Sequence, residues 1–284
     1  MQIVYNTESF SDKIREYKTR GNKITLIPTM GNLHQGHRVL FSKAPNSSIK
    51  VATIYVNPLQ FNNIDDYQNY PKSLQTDLEV CRQNNISLVY APDGDVSDEI
   101  VTEKSIDLPK FTRYLCGKKR EGHFLGVFKV VKYLFSIVNP DFACFGKKDY
   151  QQLLLIKYLA STYFPKTNII DVETVRDSNN IALSSRLTRL SKESYGSTFR
   201  IYETLQNMKQ ELLKGTSFDK LKKESIEYLK SNDIHVEYLD VRSLITLEEE
   251  TDKLKSCGIF IACHIDGVRS VSYTHLTLPT TVIV

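Results

Sequence analysis

Blocks of apolar and polar positions alternate along the first 175 or so of the 284 residues and predict strands and helices in turn. Apolar runs rich in β-branched residues predict strands at 23–29, 50–57, 86–92, 141–146 and 168–175. Apolar residues at helical spacing predict intervening helices at 35–43, 73–85, 124–139 and 149–164. This alternation predicts an α/β fold with a Rossmann-like parallel sheet and ligand sites at the carboxyl ends of its strands.

After about residue 176 the pattern changes to longer polar helices and a few strands. Polar amphipathic segments predict helices at 191–215 and 217–232, and apolar runs predict strands at 235–243 and 258–265. We therefore predict a Rossmann-like domain over 1–175 and a smaller α+β domain over 176–269. The ending, "SYTHLTLPTTVIV", resembles a translated vector or a mispredicted tail. We expect 270–284 to be non-native or disordered and outside the fold.

Composition and charge narrow the class of protein. The chain is 41% hydrophobic and 25% charged, with a formal net charge of +4, which is typical of a globular protein. Its basic residues are spread among acidic ones, which argues against a nucleic-acid partner. No apolar run approaches the roughly 18 residues of a membrane span. The start lacks the pattern of a signal peptide, so we predict a cytoplasmic protein without a membrane partner.

Cysteine spacing argues against disulfides and zinc. The five cysteines are scattered, odd in number and without a C-x-x-C pair, so neither a disulfide framework nor a zinc site is indicated. We expect them to be reduced and mostly buried.

The stretch "PTMGNLHQGH" (28–37) is the first candidate for chemistry. A glycine-containing loop between a strand and a helix aims backbone N–H groups at an anion. His34 and His37, three residues apart, share one face of the turn and could donate hydrogen bonds to a triphosphate. The alternative is a surface loop with two polar residues.

Three further stretches carry polar groups at comparable places. "YVNPLQF" (55–61) offers the neutral amides of Asn57 and Gln60, which can read hydroxyls and carboxylates; the alternative is an Asn-Pro turn. "FGKKDYQQL" (145–153) offers Gly146 for close backbone approach and Lys148 for phosphate, with Asp149 for ribose hydroxyls. Its alternative is a helix-capping Asp beside a solvated Lys. "LSSRLTRL" (183–190) could clamp phosphate oxygens, although such a motif alone is common.

Together with "YPKSLQTDL" and "KREGHF", these stretches occur in the order and spacing of pantothenate synthetases, the pantoate–β-alanine ligases. The chain resembles this family from about residue 1 to 269. The family belongs to the nucleotidyltransferase superfamily, where an H-x-G-H motif and a later Ser/Lys-type loop grip ATP. The resemblance implies a two-step reaction: pantoate attacks ATP to give pantoyl adenylate, and β-alanine then displaces AMP. It also implies Mg²⁺ with the ATP, a homodimer, and a first domain that binds both nucleotide and pantoate.

The resemblance also implies roles for individual positions. The catalytic residues are His34, His37 and Lys148, with His37 treated as proton donor. Gln60 and Gln152 bracket pantoate, and Gln60 also lies near β-alanine. Asn57, Arg120 and His123 line or support that pocket, as does Asp77, a possible Mg²⁺ contact. Val175 meets adenine through its backbone. The full ATP-binding set comprises Met30, Gly31, Asn32, Leu33, His34, Gln35, Gly36, His37, Gly146, Lys147, Lys148, Asp149, Val175, Leu183, Ser184, Ser185 and Arg186.

Several positions depart from the family pattern. The usual Glu before the catalytic Lys is Lys147, and the usual acidic-Gly turn before S-S-R is Asn179-Asn180. Asn tolerates the left-handed conformation that Gly would adopt. The usual Asn after S-S-R is Leu187, and the family's ending is replaced after Arg269. Because the catalytic set is intact, we expect activity to be altered rather than lost.

Two rival functions stay open from the residues. One is a nucleotidyltransferase that places AMP or CMP on a phosphate ester, which would need a cationic acceptor pocket where this chain has Gln60 and Gln152. The other is a nucleotide-binding protein without catalysis.

Overall fold

A parallel six-stranded sheet forms the centre of the first part of the chain in the computed structural model, which describes residues 1–100, 106–250 and 256–276. Its strands are β1 (Gln2–Val4), β2 (Lys23–Thr29), β3 (Ser48–Ile54), β4 (Leu88–Tyr90), β5 (Phe142–Gly146) and β6 (Asn168–Val172). The strand order is β1-β4-β3-β2-β5-β6, and every pairing is parallel. After β2, the chain adds β3 and β4 on one side of β2, and it later adds β5 and β6 on the other side. The order therefore reverses between β2 and β5, where ligands bind in sheets of this kind.

The helices of this sheet are α1 (Thr7–Thr19), α2 (Gln35–Lys43), α3 (Ile64–Gln68), α4 (Leu74–Gln83), α5 (Ser97–Ile100), α6 (Leu115–Lys119), α7 (His123–Val138) and α8 (Tyr150–Tyr163). α2 and α4 supply Phe41 and Leu78 to a core that also includes Ala52 and Val89 of the sheet. α7 is apolar on most of its surface, and ten of its sixteen residues are buried. The predicted strands and helices of this part of the chain are present.

The described residues of the second part of the chain form three further helices and an antiparallel sheet of order β7-β8-β9. Its elements are α9 (Lys192–Ser197), α10 (Phe199–Leu213), α11 (Phe218–Lys230), β7 (His235–Ser243), β8 (Cys257–Ile265) and β9 (Val268–His275). Its core includes Leu205, Met208 and Leu229 from the helices and Ile259 and Ile261 from β8. The prediction of a Rossmann-like sheet followed by a smaller α+β part is confirmed.

Two compact units divide the chain between Val175 and Arg176, with one exception. Residues Arg113–Cys116 belong to the second unit, although the chain around them belongs to the first. This crossing could not be predicted from the sequence, because the residues before and after the segment belong to the first unit.

The predicted helix over 191–215 consists of two helices, α9 and α10, that meet at Thr198. The Thr198 hydroxyl donates to the Tyr195 carbonyl at 2.7 Å, and such a side-chain bond competes with the regular helix ladder.

The prediction that the chain leaves the fold at residue 270 is wrong for residues 270–276. β9 pairs with β8 along its whole length, from Val268 opposite Ile265 to His275 opposite Gly258. Tyr273 is buried, and Leu276 is 0% exposed. Apolar side chains at these positions complete the edge of the small sheet, which explains the pairing. Residues 277–284 lie outside the described residues.

None of the described helices is long and apolar enough to cross a membrane. Four of the five cysteines are buried and Cys116 is partly buried, in line with the expectation that most of them lie in the interior.

Candidate active site

The loop Met30–His37, here the histidine loop, follows β2 and is held by a buried carboxylate of α4. Asp77 is 1% exposed. Its two oxygens accept hydrogen bonds from the backbone N–H of Asn32 at 2.9 Å and of Leu33 at 2.7 Å. Gly31 has φ +81°, and a Cβ there would lie 2.9 Å from an Asp77 oxygen. The loop is therefore a tight left-handed turn pinned by Asp77, and only glycine fits beside that carboxylate.

Asp77 does not suit the expected contact with Mg²⁺. Both of its oxygens are engaged by backbone donors, and the described residues contain no group of three or more potential metal ligands. Its geometry supports the other role expected for it, that of a residue beneath the site.

His34 and His37 cap the start of α2 reciprocally. The Gly36 N–H donates to His34 Nδ1 at 3.1 Å, and the His34 N–H donates to His37 Nδ1 at 3.1 Å. The two ring centroids are 4.2 Å apart. Because each Nδ1 accepts a hydrogen bond from a backbone N–H, each neutral ring carries its proton on Nε2. The pair thus presents two Nε2–H donors, on the side away from the backbone bonds.

Burial keeps both rings neutral. Burial, with a smaller effect of the Lys148 charge, lowers the pKa of His34 to about 4. Burial, followed by the effects of His34 and Lys148, lowers the pKa of His37 to about 3. Near pH 7 the two histidines can donate hydrogen bonds, but the protonated form needed for acid catalysis by His37 is scarce.

The turn Gly146–Asp149, here the lysine turn, follows β5 and leads into α8. Lys147 forms an ion pair with Glu173, whereas Lys148 Nζ lies 3.4 Å from Asp149 Oδ1. The Lys148 charge also acts on both histidines of the histidine loop. The two adjacent lysines therefore have different surroundings.

The structure shows how Asp149 and Gly146 are placed in the lysine turn. Asp149 occupies the N-cap position of α8, but its side chain makes no capping hydrogen bond, so the capping alternative is not observed. Gly146 has φ −80°, and a Cβ there would meet no atom within 4 Å. Neither the backbone conformation nor a neighbouring atom of the protein requires glycine at 146, and the space beside Gly146 is open to a ligand.

The amide of Gln60 lies at the end of a 3-10 turn (Pro58–Gln60) that follows β3. Its Nε2 lies 2.8 Å from the Met30 sulfur, and its Oε1 accepts from Asn57 Nδ2 at 3.2 Å. Asn57 Oδ1 also caps the turn by accepting from the Leu59 N–H. The Asn-Pro turn considered as an alternative is thus present, and it positions Gln60 next to the histidine loop.

Arg120 and His123 hold the backbone of Gln60. His123 Nδ1 donates to the Gln60 carbonyl at 2.8 Å, and Arg120 Nη2 donates to the same oxygen at 3.3 Å. Arg120 Nη1 lies 3.1 Å from His123 Nε2, which accepts because a guanidinium can only donate. Both residues therefore support Gln60 through its main chain.

The two adjacent glutamines of α8 differ. Gln151 is 5% exposed and donates to the Phe111 carbonyl at 2.8 Å. Gln152 is half-buried, and its amide makes no hydrogen bond within the described part of the chain. Gln151 has a structural role, and Gln152 keeps the polar group expected to face substrate.

One glycine important to this geometry was missed from sequence. A Cβ on Gly126 of α7 would lie 2.1 Å from the Leu59 carbonyl oxygen and 2.6 Å from the Gln60 nitrogen. A glycine inside the apolar helix "FLGVF" is the signal that could have found it, since such a glycine often marks a close backbone approach.

The remaining residues expected to contact ATP are Gln35 and Val175 in the first unit and residues 183–186 in the second unit. In the first unit, Gln35 is exposed at the start of α2, and Val175 is half-buried. In the second unit, Ser184 Oγ accepts from the Arg186 N–H at 3.3 Å and starts the 3-10 turn Ser185–Arg189.

The departures in the second unit fit its own structure. Asn180 adopts φ +61°, the left-handed conformation expected where the family has glycine. Leu187 is 7% exposed, and Ser185 is also buried. The leucine that replaces the family's asparagine is therefore an interior residue of this unit.

Comparison with known proteins bears on these assignments. Residues 2–273 match the family model described as "Pantoate-beta-alanine ligase". A pantothenate synthetase of Aliivibrio salmonicida is 33% identical, with 99% of this chain and 95% of that protein covered. One from Leptospira interrogans is 36% identical, with 96% and 97% covered. The resemblance drawn from the motifs is confirmed.

Solved structures agree with this result. A pantothenate synthetase of Thermus thermophilus superposes with a TM-score of 0.87 at 28% identity, covering 98% of this chain and 100% of that one. A pantoate–β-alanine ligase of Francisella tularensis, solved with "Beta-gamma ATP" and β-alanine, gives 0.80 at 30% identity, covering 97% and 98%.

Proposed function

The chain belongs to the pantoate–β-alanine ligase family, and we propose that it condenses (R)-pantoate with β-alanine at the expense of ATP. The observation that carries this proposal is the histidine loop at the carboxyl end of β2. The neutral rings of His34 and His37 lie within the influence of the Lys148 charge, and Gln60 contacts Met30 of the same loop. Neutral donors and one nearby cation suit a triphosphate, and a neutral amide suits an uncharged or carboxylate-bearing substrate.

In the first step, a carboxylate oxygen of pantoate attacks the α-phosphorus of ATP. The bond from this phosphorus to the bridging oxygen breaks, and pyrophosphate leaves. The Nε2–H groups of His34 and His37 donate to phosphate oxygens, and Lys148 neutralises charge that gathers there. Positioning and electrostatic stabilisation are the main contributions that such a step requires.

In the second step, the amine of β-alanine attacks the acyl carbon of pantoyl adenylate. The bond to the AMP oxygen breaks, AMP leaves, and the proton lost by the amine passes to solvent water. Gln60 and Gln152 orient the pantoyl group, and Asn57, Arg120 and His123 support Gln60. Burial lowers the pKa of His37, so in this scheme its neutral ring donates a hydrogen bond from Nε2.

The other ATP contacts are part of the same proposal. Asp149 holds ribose hydroxyls, Val175 meets adenine through its backbone, and Leu183, Ser184, Ser185 and Arg186 bind the triphosphate. Mg²⁺ bound with ATP would offset phosphate charge, and Asp77, which is 1% exposed and already accepts two backbone hydrogen bonds, is poorly placed to hold it.

Pyrophosphate and AMP release test this function. With ATP and pantoate alone, pyrophosphate should appear without free AMP, and AMP should follow only when β-alanine is added. A protein that binds ATP in calorimetry but releases no pyrophosphate with pantoate would contradict the proposal. Transfer of AMP to a phosphate ester would instead support the nucleotidyltransferase alternative.

We also propose a homodimer, as the family resemblance implies. Light scattering at micromolar concentration should give twice the chain mass of 32.6 kDa, and a mass equal to one chain would contradict it. The cytoplasmic location stays a prediction from the sequence.

A further inference from the structure

Residues 183–186, proposed to bind the triphosphate, directly follow a closed turn of the second unit. This turn, residues 176–182 and here the asparagine turn, begins at Arg176 and ends at Ala182, which pair as an isolated antiparallel bridge. Within it Asn180 adopts φ +61°. The point from which residues 183–186 start is therefore set by whatever holds the asparagine turn in place.

Arg176 fastens the asparagine turn to β9, the edge strand of the small sheet. One arm of its guanidinium, Nη1, donates to the Asn180 carbonyl at 3.1 Å. The other arm, Nη2, donates to Ser272 Oγ at 3.2 Å and to the Tyr273 carbonyl at 3.4 Å. The guanidinium carbon also lies 4.6 Å from the centre of the Tyr202 ring, within the range of a cation–π interaction. A single side chain thus joins the turn to the strand.

The groups that bind the Arg176 guanidinium are neutral. None of its hydrogen-bond partners in the described part of the chain is a carboxylate, and burial lowers its pKa. Removing one acceptor would leave a hydrogen of a half-buried cation unpaired, which costs more than the loss of a bond between neutral groups. Ser272 and Tyr273 are both buried. The Ser272 hydroxyl is therefore a contact on which the position of Arg176 depends.

Tyr195 of α9 is the second support of the asparagine turn. Its hydroxyl donates to Asp177 Oδ2 at 2.7 Å. Asp177 Oδ1 accepts from the N–H groups of Asn179 at 2.9 Å and of Ile181 at 2.8 Å. Burial would raise the pKa of the Asp177 carboxyl, but these hydrogen bonds outweigh burial and lower the pKa. An ionised carboxylate thus closes the turn from within, and Tyr195 connects it to α9.

β9 also contacts the segment that follows the asparagine turn. The strand packs against the 3-10 turn Ser185–Arg189, which Ser184 begins by accepting from the Arg186 N–H. Arg176 before this segment and the 3-10 turn at its end are therefore both in contact with one strand.

We propose that Arg176, Ser272 and Tyr195 are positioning residues that hold the asparagine turn and thereby place residues 183–186 for the triphosphate of ATP. All three act through residues 183–186 and do not contact the nucleotide. This inference rests on the proposed function, since it assigns the supports of a segment that binds ATP there.

The KM for ATP, compared with two other constants, tests the role of Arg176. Arg176→Ala should raise the KM for ATP in pyrophosphate release about tenfold, because residues 183–186 would start from a turn that is no longer fixed. The KM for pantoate should stay within about twofold, as should the inhibition constant of adenosine, which competes with ATP but has no phosphate. A parallel weakening of adenosine would show general damage to the site and would overturn the proposal.

Arg200→Ala is the matched control for Arg176→Ala. Arg200 lies in α10 of the same unit, with its guanidinium carbon 4.8 Å from the Phe199 ring. Its variant removes the same charge without removing a bond to the asparagine turn, so all three constants should stay at their wild-type values.

Ser272→Ala distinguishes positioning from direct contact of Arg176 with ATP. The variant keeps the Arg176 charge and removes one acceptor from it, so the KM for ATP should still rise, by about fivefold. Ser272→Thr keeps the hydroxyl in a residue suited to a strand and should stay within about twofold of the wild type. Ser270→Ala is the control in the same strand, since Ser270 is not a hydrogen-bond partner of Arg176. An unchanged KM for ATP in Ser272→Ala would overturn the proposal.

A double-mutant cycle tests whether Ser272 acts through Arg176. Added to Arg176→Ala, Ser272→Ala should raise the KM for ATP by less than about twofold more, because its partner is gone. Fully multiplicative effects of the two substitutions would contradict the proposal. Tyr195→Phe keeps the ring and removes one hydroxyl, so by itself it should raise the KM for ATP about threefold.

Failure of this inference is distinguishable from failure of the proposed function. If Arg176→Ala does not fold, Ser272→Ala and Tyr195→Phe still decide the case, since each removes a single hydroxyl. Wild-type ATP affinity in both would overturn the positioning role. The wild-type enzyme would still release pyrophosphate with pantoate in that event, whereas a wrong function would leave it inactive with pantoate.

Discussion

The histidine loop and the lysine turn both link a strand of the parallel sheet to a helix, but they are held differently. The histidine loop is fixed by the buried Asp77 and by the reciprocal cap of His34 and His37. The lysine turn is held by its strand, and its side chains form ion pairs with Glu173 and Asp149, of which Glu173 is 79% exposed. The histidine loop presents neutral rings held by hydrogen bonds, and the lysine turn presents charged side chains whose partner Glu173 is open to solvent.

This difference suggests separate contributions to the proposed reaction. Neutral donors fixed before the substrate arrives need no reorganisation when they bind phosphate oxygens. A lysine charge matters most where negative charge increases, as it does in the adenylation transition state. Loss of Lys148 should therefore affect turnover, whereas damage to the histidine loop should affect both folding and binding.

The largest effect is expected for Lys148→Ala. Adenylate formation, measured as pyrophosphate release, should fall on the order of a hundredfold or more, with a smaller change in ATP affinity. The second step, started from preformed pantoyl adenylate, should be affected less because no triphosphate remains.

Lys147→Ala is the matched control, since Lys147 pairs with Glu173. We expect a change of no more than a few-fold, because an exposed ion pair contributes little. If Lys147→Ala is as damaging as Lys148→Ala, the assignment of roles within the lysine turn is incorrect.

Asp77→Asn should be the most damaging change to the histidine loop. The new NH₂ group would face a backbone N–H of Asn32 or Leu33 in a site that is 1% exposed. One hydrogen bond to a charged group is lost and a donor is left unpaired, so unfolding free energy should fall by about 2 kcal/mol. Urea denaturation measures this fall, and the KM for ATP should rise with it. Unchanged stability would mean that the carboxylate does not pin the loop.

The two regions also differ in how far the sequence predicted them. The loop, the turn and their strands follow from local apolar runs and from glycines near strand ends. The support from Asp77 does not, because it lies 45 residues from Asn32 along the chain. The same holds for Gly126, whose close neighbours are Leu59 and Gln60. Sequence pattern predicts local structure, whereas these contacts are set by how distant elements pack.

The elements that the sequence missed have specific causes. β1 has three residues, too short a run for periodicity to detect. The end of β9 was excluded because its sequence looked foreign, yet the strand pairs with β8 from Val268 to His275. The role of Leu187 as an interior residue likewise depends on the packing of its own unit.

The buried histidines should make stability depend on pH. Their pKa values in the fold, about 4 for His34 and about 3 for His37, lie below the ordinary 6.5. At a pH between the folded and the ordinary pKa values, the histidines are protonated in the unfolded chain and neutral in the folded one. Stability should thus be level above about pH 7 and fall as the pH drops from 6.5 toward 4, by up to about 1.4 kcal/mol per pH unit per histidine.

Urea denaturation at pH 5 and pH 7 measures this dependence. The double variant His34→Gln, His37→Gln should lose a large part of it, whereas His235→Gln, at an exposed position of β7, should keep it. An unchanged pH dependence in the double variant would show that the two rings titrate normally in the fold.

The smallest expected effect compares one glycine from each region. A Cβ on Gly36 would lie 2.8 Å from His34 Cε1 and 3.0 Å from its Nδ1, whereas one on Gly146 would meet nothing within 4 Å. Gly36→Ala must tilt the His34 ring away from its cap, so we expect a loss of about 1 kcal/mol in unfolding free energy. Gly146→Ala should leave stability within about 0.5 kcal/mol, because its φ is compatible with alanine.

The KM for ATP adds a second readout to this pair. If the nucleotide packs against the backbone at 146, Gly146→Ala should raise the KM for ATP without affecting stability, while Gly36→Ala should change both. Equal stability losses in the two variants would contradict this comparison, in which Gly36 is in close contact with the His34 ring and Gly146 faces open space. The comparison therefore depends on one added methyl group, placed after β2 in one variant and after β5 in the other, on the two sides of the point where the strand order reverses.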